Sequence, residues 1–312
     1  MHGLIEVLAA ALYAAAFFHI DNIKGMDMQG WKRKDTGVHM EEQGWLEGSL
    51  PILTFPALNE ISCIRHGFTT RDGGVSQGDL ASLNLSFNRG DQEENVRENY
   101  HRIALALEVP EDRFVLSKQE HTDHVRVITE ADAGKGLVRE MDYAGVDGLV
   151  TNVKKLVLFT SHADCTPLYF VDPVHEVIGL SHSGWKGTVK GIGRATLEKM
   201  QEVYGTDPAD VICGIGPSIC QDCYEISEDV AQQFQEKFGG HEEEILINKK
   251  NGHYQLDLWK ANQIILEEAG VKKEHISLTD LCTCCNSKRL FSHRASHGKR
   301  GNLAAFMMLK GE

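Results

Sequence analysis

Residues 156–204 read LVLFTSHADCTPLYFVDPVHEVIGLSHSGWKGTVKGIGRATLEKMQEVY. Three short runs within it, 156–160, 167–171 and 177–181, are apolar, rich in β-branched and aromatic residues, and bounded by turn residues such as Asp172-Pro173. Each is predicted as a strand. The period then changes. Ile192, Ala195, Leu197, Met200 and Val203 recur at helical spacing, so 192–204 is predicted as a helix. Working outward, 94–107 reads as a helix, and 113–116 and 125–129 as short strands. On the other side 210–215 is a strand stopped by Gly216-Pro217. Segments 230–238 and 256–269 are helices, and 276–279 and 303–309 are closing strands. Hairpins and β–α units alternate without a fixed rule. That order points to an α/β (α+β) sandwich of mixed sheets with flanking helices, in one domain, and not to a regularly wound parallel sheet. Gly214-Ile-Gly216-Pro217 stops after two glycines and makes no dinucleotide or phosphate loop.

The 312 residues are 42% hydrophobic and 25% charged, ordinary for a globular chain with a large core. A net charge of −13 opposes non-specific binding to nucleic acid or anionic membranes, and neither is expected as a partner. A few local arginines still suffice for a small anionic substrate. The eight cysteines do not read as a disulfide framework, because Cys282, Cys284 and Cys285 crowd together in a chain that needs no staples. Free thiols and a cytoplasmic location are expected. Those three cysteines read as structural thiols, with no pair of His or Cys completing a four-ligand spacing. Residues 4–20, LIEVLAAALYAAAFFHI, are apolar but lack the positive start of a secretory signal and carry Glu6. Residues 1–40 are therefore assigned as a leader or N-terminal extension, with Met26, Met28 and Met40 as alternative starts, and 41–312 as a single catalytic domain.

Three segments place reactive groups beside turns: Gln119-Glu-His121-Thr-Asp-His124-Val125, Ser161-His-Ala-Asp164-Cys165-Thr-Pro167, and Ser181-His182-Ser-Gly184-Trp185-Lys186-Gly187. Strand ends are rigid mounts, and turns leave side chains open to a cleft. Two imidazoles and a thiolate, His121, His182 and Cys165, form a donor set suited to zinc, with a fourth position left for water or substrate. His124 and His162 compete for the same role. Cys165 is equally readable as a small buried hydrophobe, or as a nucleophile with His182 as its base. Arg71, beside the Gly73-Gly74 turn, suits bidentate recognition of phosphate or carboxylate, or else stands in solvent next to a hairpin.

These motifs, in order, resemble those of the YfiH-like family. The likeness runs through Thr70-Arg71-Asp72-Gly73-Gly74-Val75-Ser76, Ser82-Leu83-Asn84-Leu85, Gln119 to Val125, Asp147-Gly148-Leu149-Val150-Thr151, Ala163-Asp164-Cys165-Thr166-Pro167 and His182-Ser-Gly-Trp185-Lys-Gly187. It continues through Gly216-Pro217-Ser218-Ile219, Cys223-Tyr224-Glu225-Ile226, Leu256-Asp257-Leu258 and Phe291-Ser-His-Arg294, across about residues 50–310. Members were once labelled polyphenol oxidases or laccase-domain proteins and are now regarded as purine nucleoside phosphorylases with adenosine deaminase activity. The resemblance implies a YfiH-like fold, metal ligands at His121, Cys165 and His182, and a zinc-dependent reaction of purine nucleosides with phosphate, by a monomer or homodimer. Copper is the second metal to consider. In that reading Arg71 and Arg294 offset phosphate charge, Asn84 bonds a ribose or base edge, and His124 and Asp164 move protons. Two features depart from the family: residues 1–40 have no counterpart, and Gly301-Asn302 stands where relatives often show Gly-Arg. Two other readings stay open: a metal-free Cys–His hydrolase or deamidase, and a copper phenol oxidase. Against the oxidase, no two of the 15 histidines are separated by a single residue.

Overall fold

Strands buried on both faces read as unbroken apolar runs, and the computed structural model, which describes residues 30–311, shows what covers each face. The strands are β1 (Glu41–Trp45), β2 (Leu50–Thr54), β3 (Ile64–Thr69), β4 (Phe114–Leu116), β5 (Val125–Val127), β6 (Gly148–Thr151), β7 (Val157–His162) and β8 (Thr166–Asp172). They continue as β9 (Val177–Ser183), β10 (Ile212–Ile215), β11 (Glu225–Ser227), β12 (Leu246–Asn248), β13 (His253–Leu256), β14 (Ile276–Leu278) and β15 (Leu303–Leu309). One six-stranded sheet runs β1-β2-β3-β15-β7-β4, and a second runs β14-β10-β8-β9-β6-β5. Most pairs are antiparallel, but β4–β7, β5–β6 and β10–β14 are parallel. The expected mixed sandwich is what forms.

Alternation along the strands builds its layers. On β15, Leu303, Ala305 and Met307 enter the core between the sheets, where they meet Tyr169, Val171, Ile178 and Leu180. Ala304, Phe306 and Met308 face the other way, with Val157 and Phe159 of β7, onto the Glu93–Leu107 helix through Tyr100 and Ile103. On β8, Leu168 and Phe170 face outward onto the Ile192–Tyr204 and Leu258–Glu268 helices through Ile192, Leu197, Met200 and Leu266. The order is helix, sheet, sheet, helices. The small sheet β11-β13-β12 and the Glu228–Lys237 helix close a satellite core at one side.

The strands are longer than their apolar runs, because their polar ends are paired. Thr166 pairs with Ser183, Pro167 with His182, and Leu303 with His162. His182 therefore lies inside β9 and not after it. Residues 30–40, grouped by sequence with the leader, pack into the body of the fold. Trp31 is fully buried, and Arg33 reaches buried Asp280 at 2.6 Å. The apolar stretch 4–20 lies outside the described residues. Among the described residues no helix is long and apolar enough to cross a membrane.

Candidate metal and active site

Antiparallel pairing brings one end of the second sheet together. Cys165 immediately precedes β8, His182 is the last residue but one of β9, and Asp147 immediately precedes β6. His121 sits in the β4–β5 loop at φ +60°, a left-handed turn that aims its ring back over this end. The candidate ligand atoms of His121, Cys165 and His182 all lie within 4.8 Å of one another, with His121 Nε2 at 3.9 Å from Cys165 Sγ. The two imidazole rings meet edge to face at 4.9 Å.

Asp147 organises this cluster. Its Oδ1 accepts from His182 Nδ1 at 2.8 Å and from the His121 N–H at 3.0 Å. Its Oδ2 accepts from the N–H groups of Glu120 and Thr122, each at 2.9 Å. Burial opposes its charge, but His182 and these donors hold the carboxyl down to about 2. A carboxylate can only accept, so His182 carries its proton on Nδ1 and turns Nε2 toward the cluster. A carboxylate behind a ligating histidine is the usual outer partner of a metal site. Two nitrogens, one sulfur and an orienting carboxylate fit a zinc ion.

The model of the family described as multi-copper polyphenol oxidoreductase laccase matches residues 65–310. The chain belongs to this laccase family. Among its relatives, purine nucleoside phosphorylase YlmD of Bacillus subtilis is 37% identical over 247 residues, which cover 78% of this chain and 88% of that protein. The crystal structure of YfiH from Bacillus licheniformis superposes with a TM-score of 0.78 at 33% identity, covering 83% of this chain and 96% of that one. YlmD from Geobacillus stearothermophilus also gives 0.78, at 32% identity over 88% and 99% of the two chains.

In this laccase-family fold the other sequence-selected residues have different places. His124 is exposed, in a surface groove with Glu198 and Glu202. That groove includes none of His121, Cys165 and His182. His162 is buried and saturated. Its Nδ1 donates to the Cys165 carbonyl at 3.1 Å, and its Nε2 accepts from the Thr160 hydroxyl at 2.8 Å. Burial, then the charge of His182, keeps it neutral. Asp164 adopts φ +90° and spends both oxygens on Thr283 Oγ1 (2.6 Å) and the Arg294 N–H (2.7 Å). Both of its carboxylate oxygens are thus engaged, one residue before Cys165. Asn84 is fully buried and its amide is consumed by Asp91, Ser86 and Asn302. Arg71 donates to the carbonyls of Ala81 and Ser287 and covers the Phe291 ring. Arg294 donates to the carbonyls of Cys223 and Glu225. Both arginines bind backbone carbonyls, and Arg71 also lines a surface pocket with Lys299 and Arg300.

A cation that the sequence reading did not single out is Arg300, whose Nη1 donates to the Gly301 carbonyl and to Asn302 Oδ1. Its Nε is buried with no hydrogen-bond partner among the described residues. Burial and then Arg89 push its guanidinium down to about 10, while the charges of Asp164 and Cys165 pull the other way. It lines a groove of about 610 Å³ with Arg89, Lys299 and Asn88. Its sequence neighbours give no periodic signal. Asp147 had a better one: an acid directly before a buried apolar run, as His182 ends one and Cys165 precedes one.

Proposed function

We propose that this chain is a zinc-dependent purine nucleoside phosphorylase, converting adenosine, inosine and related nucleosides with phosphate to free base and ribose 1-phosphate, with adenosine deamination in the same pocket. The observation that carries the reading is the convergence of His121, Cys165 and His182 at one sheet end, with Asp147 behind and Arg300 within electrostatic reach. The names of the relatives support the same class of reaction. When bound, zinc supplies a Lewis acid that orients an oxygen of substrate or phosphate and makes water more acidic. The remaining work falls to the chain. Asp147 fixes the His182 tautomer and the His121 loop. Asp164 and His162 hold the Cys165 backbone. Arg300, with an unused buried donor and Arg89 nearby, is assigned the phosphate.

The test is product analysis on zinc-loaded protein. Inosine should yield hypoxanthine and ribose 1-phosphate only when phosphate is present, and adenosine should also yield inosine without it. If no base release depends on phosphate, the phosphorylase assignment falls. Arg300→Gln should raise the KM for phosphate roughly ten- to a hundredfold, the scale of one charge-assisted bond, with zinc content unchanged.

One observation favours a second reading, a metal-free Cys–His hydrolase or deamidase. Burial alone would raise the Cys165 thiol, yet His182 and His121 hold it down to about 6. Burial likewise opposes the His182 charge, yet Cys165 and Asp147 push it up to about 9. Without metal this is a thiolate–imidazolium pair. A thiol reagent that inactivates the zinc-loaded enzyme at once, with chelator changing nothing, would favour it. Copper on the same donors should give weak phenol oxidation only after copper loading.

A further inference from the structure

We propose that Cys220, Cys223, Cys282 and Cys285 form a second metal site, which holds one zinc ion in an all-thiolate tetrahedron and pins the corner of the fold beneath Cys165. The sequence reading saw only the 282–285 crowd. The structure supplies the missing half: Cys220-x-x-Cys223 comes from the loop after β10, and the two C-x-x-C pairs face one another. All four sulfurs lie within 4.8 Å of each other, with Cys223–Cys285 at 3.5 Å and Cys220–Cys285 at 4.0 Å. Zn–S bonds of about 2.3 Å at tetrahedral angles set sulfurs about 3.8 Å apart. A disulfide needs about 2.05 Å.

The backbone is shaped for thiolates. Cys282 Sγ accepts from the N–H of Cys285 at 3.4 Å and from that of Cys220 at 3.3 Å. Two N–H donors on one sulfur favour its ionised form. Each pair is wound into a turn, Cys223 N–H to the Cys220 carbonyl at 3.0 Å and Asn286 N–H to the Cys282 carbonyl at 3.1 Å. Cys220 and Cys282 are buried against Trp259, where four neutral thiols would gain little from meeting. Four thiolates around Zn²⁺ leave a charge of −2. Lys34, on Asp222 at 2.6 Å, stands within electrostatic reach of Cys220 and Cys285 to offset part of it. An all-sulfur tetrahedral set is closed, with no open position for substrate, and selects zinc or iron over hard cations.

The site joins two segments that together hold Asp164. The Ile219 N–H donates to the Asp164 carbonyl at 3.0 Å, and Thr283 Oγ1 donates to its carboxylate at 2.6 Å. Thr283 N–H also donates to the Ser218 carbonyl at 3.1 Å. Residue 164 is bonded to the sequence neighbour of Cys220 on one side and of Cys282 on the other, and the next residue is Cys165.

The experiment uses the untagged full chain, made with zinc and iron available and freed of loose metal. Wild type should carry two zinc per chain by elemental analysis, Cys165→Ala one, and Cys220→Ser/Cys223→Ser one. If the double variant fails to fold, Cys165→Ala reconstituted with cobalt decides alone, and should show intense sulfur-to-cobalt absorption of a tetrahedral thiolate site. Cys165→Ala protein that binds no zinc and gives no such absorption overturns the proposal. So does iron in place of the second zinc, or a Cys223–Cys285 disulfide found by mass spectrometry in the freshly isolated chain. None of these outcomes depends on whether nucleosides are substrates.

Discussion

Asp147 shows how a residue can shape a candidate metal site through the groups it hydrogen-bonds, without being one of the candidate donors. Its carboxylate accepts both the His182 ring N–H and the His121 backbone N–H, so one side chain sets two of three metal donors. Asp147→Asn keeps the size but loses acceptor capacity. Zinc affinity should fall about ten- to a hundredfold, the usual loss when an outer carboxylate is changed. Competition with a chromophoric chelator measures it, with circular dichroism to confirm the fold. Unchanged affinity would reduce Asp147 to a loop brace. At this scale the reactive types His121, Cys165 and His182 were legible, because strand ends and turns mark them. The polar residues Asn84, Arg71 and Arg294 make hydrogen bonds to backbone from distant segments, such as Asn302, Ser287 and Glu225, which no local pattern announces. A sequence shows that a side chain is polar, not whether its donors are already spent.

Two contacts between elements admit little change, one at the site and one between the sheets. Gly184 begins the Trp185–Lys190 helix, and a Cβ there would come within 2.7 Å of His121 Cδ2 and 2.9 Å of Cys165 Sγ. Its φ is −78°, so the obstacle is the approach and not the backbone angle. Gly184→Ala should fold but displace two donors. Zinc binding and turnover should fall together, while the melting midpoint moves only a few degrees. Full zinc occupancy with full activity would show that the donors can give way. The second contact joins the sheets. His66 on β3 accepts the Phe55 N–H at 2.9 Å and packs edge-on against Tyr169 of β8. Burial pushes its pKa down from 6.5 to about 3. The unfolded chain therefore binds this proton from about pH 6.5 downward, and the folded chain only near 3. Stability is retained above 6.5 and lost as pH falls toward 3, at up to about 1.4 kcal/mol per pH unit. His66→Gln should remove one proton's worth of that slope between pH 6.5 and 4.5, read from urea midpoints. Equal slopes in the two proteins would mean that His66 is protonated when folded. Strands β4, β5, β7 to β10, β14 and β15 were readable from apolar runs, while β1 to β3, β6 and β11 to β13 gave no such signal. Which sheet each strand joins was not, since β7 and β8 have similar runs and are adjacent in sequence, yet lie in different sheets.

Across the described residues, the least legible boundary is the one that the sequence places at residue 40. Residues 30–40 carry no apolar period, and their anchors are single residues, several with partners far along the chain: Lys32 meets Asn286 at 254 positions and Arg33 meets Asp280 at 247. Trp31 is fully buried and donates to Glu42 at 2.7 Å, beneath the Arg289 guanidinium at 4.3 Å from its ring. Arg33 pairs with Asp280, which has no exposed surface, and the Lys34 N–H donates to the Asp280 carbonyl at 2.8 Å. Asn286 clasps both backbone groups of Lys32. The segment thus covers the 280–289 stretch that bears Cys282 and Cys285. A chain starting at Met40 would lose the tryptophan and leave Asp280 without its arginine. Breaking a buried ion pair from one side costs about 3–5 kcal/mol, and removing a buried Trp side chain a similar amount. Water entering the vacated surface offsets part of this, so the net loss should still reach at least ~3 kcal/mol. Compared with a chain starting at Met28, the Met40 chain should unfold at clearly lower urea in equilibrium melts. Its sulfurs at 282 and 285 should also react faster with a thiol reagent at low denaturant. Coincident melts would mean that residues 30–40 rest on the body without stabilising it. In that case Asp280 must find another partner, and an Asp280→Asn change in the shorter chain should then cost as much as it does in the longer one.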